Sequence, residues 1–258
     1  MSGFKAHGVQ SLSASQINTY IGDPAYWVLQ KLFKTRSEPN AAMVRGISAE
    51  SGIVHGLFNL DASLEDCVAL ALREYDEKLA LSNDPKYDSE RAGIPGLIEY
   101  ALQELRQYGV PSNAQERITV KLPDVTVPFF GYTDIEYADH GIIVDIKTTL
   151  RMPSSISEYH ARQGAIYAHA KSNYAMRFAY VKPKPSKGQD RACNVYEMTS
   201  DDIATYLAQV REVALRMDRF LSISNDKHEL AALLVPDYSG YQWSNPSIRE
   251  QGRELYGF

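Results

Sequence analysis

Two short β-prone runs joined by a glycine turn restrict this chain more than any other feature. Phe129 to Ala138 contains Gly131-Tyr132-Thr133-Asp134-Ile135-Glu136-Tyr137. After Asp139-His140-Gly141 comes Ile142-Ile143-Val144-Asp145-Ile146-Lys147-Thr148-Thr149. Apolar-rich runs around a turn of this kind predict a β-hairpin. Side chains alternate along a strand, so Asp145 and Lys147 share one face while Val144 and Ile146 share the other. Asp is disfavoured in strands, so Asp134 and Asp145 within these runs need a reason. A hairpin can bring them together. Two carboxylates and an ammonium at one spot can hold a divalent cation beside a water, the chemistry of phosphodiester hydrolysis. The bland alternative, an Asp145–Lys147 pair on an open sheet face, is common and weak. The spacing with Asp134 argues against it.

The surrounding sequence predicts helices, then strands, then helices. Ser13 to Phe33 is helical, with Ser13 and Gln16 in a capping-box pattern and Pro24 breaking the run in two. Further helices are expected at Met43–Leu60, at Ser63–Leu81 with Ser63 as N-cap, and at Pro95–Tyr108 ending on Gly109, with a polar loop from Asn83 to Gly93. Strands are expected at Glu116–Leu122, Phe129–Ala138, Gly141–Thr149, Tyr174–Lys182 and Cys193–Met198. A crossover helix, Ser157–Lys171, interrupts them. A long amphipathic helix from Asp201 to Ser222, capped by Ser200 or Asp201, a shorter one from Lys227 to Leu234, and an aromatic-rich tail close the chain. The sum is an α/β fold, helices packed on a central mixed sheet of about five strands, with helical elaborations at both ends.

On the Met43–Leu60 helix, Ile47, Ile53, Val54 and Leu57 form a helical stripe that includes Glu50. A carboxylate facing a core is costly unless a cation or donors compensate it. Glu50 is therefore either paired with Arg45 or a third acidic metal ligand, and the hairpin favours the second. His55 is the competing ligand, but it lies five residues on, roughly 140° around the helix. Gln163 and Tyr167 are four apart on the crossover helix and share a face. On residue chemistry alone they read as helix surface and core. Lys171, Arg177, Lys182, Lys184, Lys187 and Arg191 make a basic stretch, either a solvated loop or a phosphate-contacting patch.

Composition narrows the classes. The net charge is −5, which is not that of a general DNA-coating protein. No run is apolar enough to span a membrane and no secretory signal precedes the first helix. Two distant cysteines, Cys67 and Cys193, imply a reducing, cytoplasmic setting and exclude a four-cysteine zinc or iron–sulfur site. There is no Gly-x-x-x-x-Gly-Lys-Ser/Thr phosphate loop, hence no built-in helicase motor.

Taken in order, Arg45-Gly46-Ile47-Ser48-Ala49-Glu50, Gly131-Tyr132-Thr133-Asp134, Ile143-Val144-Asp145-Ile146-Lys147-Thr148 and Gln163-Gly164-Ala165-Ile166-Tyr167 resemble the motifs of the PD-(D/E)XK nuclease superfamily. They are most similar to its RecB-like branch, which includes phage exonucleases of the lambda type. Ser11-Leu12-Ser13-Ala14-Ser15 resembles the start of RecB-like domains, and the text from Tyr241 to Gly257 resembles the tails of phage members. The resemblance implies a restriction-endonuclease-like core and one nuclease domain over residues 1–258. Its catalytic core would span about 43–200, with N-terminal helices at 11–33 and C-terminal helices and tail at 201–258. It further implies that Glu50, Asp134, Asp145 and the Ile146 carbonyl ligate Mg²⁺ or Mn²⁺, that Lys147 orients the attacking water, and that Gln163 and Tyr167 support the site and its nucleic acid. Ser13, Ser15 and Arg45, with Lys182 of the basic stretch, join them as candidate substrate contacts. The implied activity is a metal-dependent DNA exonuclease for recombination, repair or degradation, with a strand-annealing or single-strand-binding partner and a possible homo-oligomer. The proline usual before the first strand aspartate is replaced by Thr133, and His55 follows Gly52 where many relatives carry a ligating histidine. A structure-selective or sequence-specific endonuclease, and a non-cleaving DNA-binding module, are the rival readings.

Overall fold

The computed structural model describes residues 2–36 and 38–257. Seven helices come first: α1 (Gly3–Ala6), α2 (Ala14–Gly22), α3 (Pro24–Lys31), α4 (Ala41–Phe58), α5 (Leu64–Lys78), α6 (Tyr87–Arg91) and α7 (Ile94–Leu105). Strands β1 (Asn113–Val120), β2 (Phe129–Tyr137) and β3 (Ile142–Thr148) follow, then α8 (Glu158–Ala170), β4 (Ala175–Val181) and β5 (Cys193–Glu197). Helices α9 (Ser200–Leu221), α10 (Lys227–Ala231) and α11 (Pro246–Tyr256) complete the chain. The five strands form one mixed sheet in the order β1-β2-β3-β4-β5. Neighbours are antiparallel except β3 and β4, which run parallel because α8 carries the chain back across the sheet. The expected α/β architecture and five-stranded mixed sheet are therefore present.

Strand alternation divides the interior. Phe129, Ile143 and Phe178 pack with Ile17, Trp27 and Val210 on one side of the sheet. Ile135, Val144, Ile146 and Ala179 pack with Ile53, Ala71 and Leu97 on the other. Helices α2, α8 and α9 thus cover the face that Asp145 and Lys147 share with Ile143, and α4, α5 and α7 cover the opposite one. No helix among the described residues is long and apolar enough to cross a membrane.

Several local expectations need correction. Ile47 does not join the packed stripe of α4; it is 42% exposed. The buried stripe is built from small residues, Ser48, Ala49, Gly52 and Gly56, beside Val44, Ile53 and Leu57. A Cβ at Gly52 would lie 2.7 Å from the Cys67 carbonyl oxygen, and one at Gly56 2.8 Å from Cys67 Sγ, so backbone proximity to α5 selects glycine there. The presumed loop at Asn83–Gly93 contains α6, held because Glu90 pairs with buried Arg45 and because the Arg91 guanidinium meets Asp76 at 2.7 Å. Thr199, not Ser200 or Asp201, caps α9, in a complete capping box with Asp202. The Ser13 cap of α2 is only half a box: its hydroxyl accepts from the Gln16 amide, but Gln16 Oε1 is buried without a partner. The tail, left without helix in the sequence reading, carries α11, capped by Asn245 and opened by Pro246.

Asp23 ties the two ends together. Its Oδ1 caps α3 by accepting from the Tyr26 amide at 3.0 Å. Its Oδ2 accepts from Trp243 Nε1 at 2.6 Å and from Gln242 Nε2 at 3.1 Å. Trp243 is fully buried, so its N–H has no recourse to water. Asp23→Ala is expected to remove a helix cap and orphan that donor, lowering stability by about 2–4 kcal/mol in a urea titration; a loss below ~0.5 kcal/mol would disprove the coupling.

Candidate active site

The β2–β3 ladder pairs Tyr137 with Ile142, Glu136 with Ile143 and Ile135 with Val144, and stops there. A side chain makes the next link: the Ile146 amide donates to Asp134 Oδ2 at 2.8 Å. Asp134 is thus held against the strand that carries Asp145. The Ile146 side chain faces the second core, which leaves its peptide group beside the two carboxylates.

Asp145 is wholly buried. Lys147 Nζ sits 2.5 Å from its Oδ1. That ammonium is the donor on Oδ1, while Oδ2 has no hydrogen-bond partner among the described residues. A buried carboxylate normally gathers donors on both oxygens, so one bare oxygen is unusual. Helix α4 crosses the end of β3 so closely that a Cβ on Gly46 would lie 3.2 Å from Thr148 Oγ1. That crossing delivers Glu50, one turn further on, to the same charges. Burial, then Asp145, push the Glu50 carboxyl up to about 7. Burial, then the charges of Asp145 and Glu50, hold Asp134 far above the usual carboxylate range. Burial also raises Asp145, against the pull of Lys147. Burial works against the Lys147 ammonium, but Asp145 and Asp134 outweigh it and raise its pKa. Like charges crowded in a poorly solvated place raise one another in this way.

Three carboxylates that repel one another in a poorly solvated place suit a hard divalent cation, which takes oxygen ligands and would relieve the repulsion. They are not gathered in advance. Among the described residues, no three His, Cys, Asp or Glu side chains form a ready metal-binding group. Each carboxylate has its own partner: Asp134 the Ile146 amide, Asp145 the Lys147 ammonium, and Glu50 the Gln115 amide. A shared ion would require Glu50 and Asp145 to turn from these contacts.

A cleft of about 450 Å³ opens beside Lys147. Ser13, Ser15, Gln163 and Tyr167 also line it, so five of the candidate residues meet in one place. The Leu12 amide donates to the Pro128 carbonyl and the Phe130 amide to the Leu12 carbonyl, fastening the Ser13–Ser15 rim to β2. Gln163 Nε2 donates to the Tyr167 hydroxyl at 2.9 Å. The Tyr167 ring lies over Gly131, where a Cβ would come within 2.6 Å of it. Burial, then the charge of Asp145, raise the Tyr167 hydroxyl to about 12.

Other candidates lie apart. Arg45 is buried against Glu90, with a 3.4 Å contact to Thr148 Oγ1. Lys182 is buried and donates to Ser186 Oγ at 2.6 Å; it does not line the cleft. Of the basic stretch, Lys171 pairs with Glu116 and Glu136 and Arg177 with Glu197, while Lys184 and Lys187 are exposed and do not line the cleft. His55 Nδ1 lies 3.5 Å from the Asn59 amide at the far end of α4. Sequence reasoning missed His160, whose Nδ1 is 2.7 Å from the Tyr180 hydroxyl. Burial, then the Lys147 charge, lower its pKa to about 4, so it stays neutral. Its spacing of three and seven before Gln163 and Tyr167 was the available signal. The cleft residues Tyr132 and Tyr159 were missed as well.

No family model matches this chain, and no curated protein matches it significantly. Among solved structures, a presumed exonuclease from Eubacterium rectale aligns with TM-score 0.58 at 14% identity, covering 81% of this chain and 82% of its own. The two share a fold. SSO0001 aligns with TM-score 0.34 at 16% identity, over 67% of this chain and 85% of its own.

The raised carboxyls give stability a definite pH dependence without metal. An unfolded Glu titrates near ~4.3, and folded Glu50 near about 7. Between these values the folded state keeps a proton that the unfolded chain has released, so stability falls as pH rises through the window. Asp134 and Asp145 act in the same direction. Glu50→Gln should therefore stabilise the EDTA-treated protein by about 2 kcal/mol at pH 8 and by almost nothing at pH 4, read by urea unfolding. Equal stability of the two proteins at pH 8 would mean that Glu50 lies outside the charge cluster.

Proposed function

We propose that this chain is a metal-dependent DNA exonuclease of the PD-(D/E)XK type, on its RecB-like branch. The observation that carries the reading is Asp145, fully buried, with Lys147 on one oxygen and no partner on the other among the described residues, within the field of Asp134 and Glu50. The fold shared with the Eubacterium rectale presumed exonuclease supports a nuclease on this scaffold.

Glu50, Asp134, Asp145 and the Ile146 carbonyl would hold Mg²⁺ or Mn²⁺. When bound, the cation supplies a water of lowered pKa and offsets charge on the scissile phosphate. Lys147 has the more specific task. Its ammonium stays protonated beside Asp145, so it donates a hydrogen bond to the nucleophilic oxygen and fixes its approach. Gln163 and Tyr167, joined by their hydrogen bond, form the cleft wall next to Lys147 and offer polar contacts to phosphate oxygens. Ser13 and Ser15 offer hydroxyls on the opposite rim. Neutral His160, within the field of Lys147, adds no second positive charge to compete for Asp145. The context we favour is phage-type recombination in a bacterial cytoplasm, beside a strand-annealing or single-strand-binding protein.

The test is degradation of end-labelled DNA. Asp145→Asn and Lys147→Ala should each lower Mg²⁺-dependent hydrolysis by about 10³-fold or more, with unchanged circular dichroism. Wild-type rates in either folded variant would remove the proposed site. A covalently closed circle should resist the enzyme and a linear duplex should not; cleavage of both would make it an endonuclease. A second reading, a DNA-binding module that does not cleave, draws on the lack of a preassembled three-carboxylate group among the described residues. Calorimetric titration with Mn²⁺ separates the two, because a non-cleaving module of this kind would show no binding that Asp134→Asn abolishes.

A further inference from the structure

The cleft beside Lys147 has a feature that hydrolysis alone does not require. Two aromatic rings stand at its rim with much of their surface open to water, Tyr132 at 46% and Tyr159 at 50% exposure. Most tyrosines near a sheet bury the ring and leave only the hydroxyl wet. Here Tyr132 lies in β2 and Tyr159 in α8, so the two rings come from different elements. The Tyr159 carbonyl accepts from Asn18 Nδ2 at 3.0 Å, and Asn18 Oδ1 in turn accepts from buried Arg162 at 2.6 Å. The Tyr159 backbone is therefore anchored while its ring remains exposed.

Charge next to the rings points the same way. Tyr132 sits directly opposite Arg117 in the β1–β2 register, so both project from the same face of the hairpin. Arg117 is exposed and makes no ion pair among the described residues, in contrast to Lys171 and Arg177. Lys147, in contact with Asp145, lines the same cleft. Two open aromatic faces and the Lys147 ammonium therefore share one cleft, with Arg117 next to Tyr132. The cleft, at about 450 Å³, is within the ~300–1,000 Å³ that holds a drug-sized ligand, the scale of a nucleotide. A duplex has its base faces already covered by stacking, so open rings give it little. Unpaired bases on a charged backbone match both the rings and the cation.

We infer that the Tyr132–Tyr159 cleft binds the unpaired end of a single DNA strand, stacking its bases on the two rings, with Arg117 on its backbone, and feeding its phosphate toward Lys147. This rests on the nuclease reading for its direction, but not for its measurement.

Binding in EDTA tests it without hydrolysis. Fluorescence anisotropy of the full-length chain with a labelled single-stranded oligonucleotide should show tight binding for wild type. It should weaken about 10-fold for Tyr132→Ala or Tyr159→Ala and about 100-fold for the double variant. Tyr132→Phe and Tyr159→Phe, which keep the rings, should bind as wild type. A terminal 2-aminopurine should be quenched by wild type and by the Phe variants, and not by the Ala double variant. Arg117→Ala should flatten the salt dependence, since one phosphate contact is lost. A blunt hairpin duplex should bind more weakly than the single strand, with little dependence on either tyrosine. Unchanged single-strand affinity in a folded Ala double variant would overturn the inference, as would an equal tyrosine dependence for the blunt duplex. If wild type never degrades DNA with Mg²⁺ but the tyrosine dependence holds, the nuclease reading fails and this one stands; active enzyme with no tyrosine dependence means the reverse.

Discussion

The arrangement turns on one unfavourable act, the burial of the Asp145 carboxylate with one oxygen left without a partner among the described residues. An isolated charge in such a place would cost far more than a small fold can tolerate, so it must be protonated, paired or bound to a cation. Lys147 supplies the pair from two residues along the same strand, on the same face. That contact compensates in part. Asp134 and Glu50 add negative charge to the same region, and the net effect is raised carboxyls all round. The site is therefore poorly satisfied on its own terms, and this makes it receptive to a hard cation.

The fold exists around this spot in a specific way. The β2–β3 ladder ends one step before the two aspartates would face each other, and the Asp134 side chain takes the Ile146 amide instead. The β2–β3 pairing thus holds where Ile135 and Val144 feed the second core, and opens beside the two aspartates. On the other side α8 presents Gln163 and Tyr167, with Gly131 leaving room for the Tyr167 ring. Helix α4 approaches through glycines and small residues, which let its backbone near β3 and α5 and carry Glu50 into the field of the strand charges.

Polar pairs elsewhere take up part of the basic stretch. Lys171, Arg177 and Lys182 are committed to Glu116 and Glu136, to Glu197 and to Ser186. Arg45 is committed to Glu90. Arg117, beside Tyr132, leaves its charge free for a phosphate next to the cleft. A chain with a net charge of −5 can still contact DNA if such cations stand where the strand passes.

Much of this was legible in the residues alone. Strand periodicity and the turn at Gly141 determine the hairpin, and alternation puts Asp145 and Lys147 on one face, because a side-chain period of two leaves no freedom. Capping residues and prolines located most helices. Only the tertiary structure decided the remainder. On residue chemistry alone Gln163 and Tyr167 read as surface and core; the motif resemblance implied a place at the site, and the packing of the Tyr167 ring against Gly131 shows how α8 reaches the cleft. Ile47 read as core until small residues proved to be the packed face of α4, since backbone contact, not side-chain hydrophobicity, sets that surface. The meeting of Ser13, Lys147, Tyr132, Tyr159 and Gln163 in one cleft depends on contacts between residues far apart in the chain, such as Leu12 with Phe129. Local periodicity holds no information about such pairs, because it describes which way each side chain points within its own element and not what another element brings to meet it.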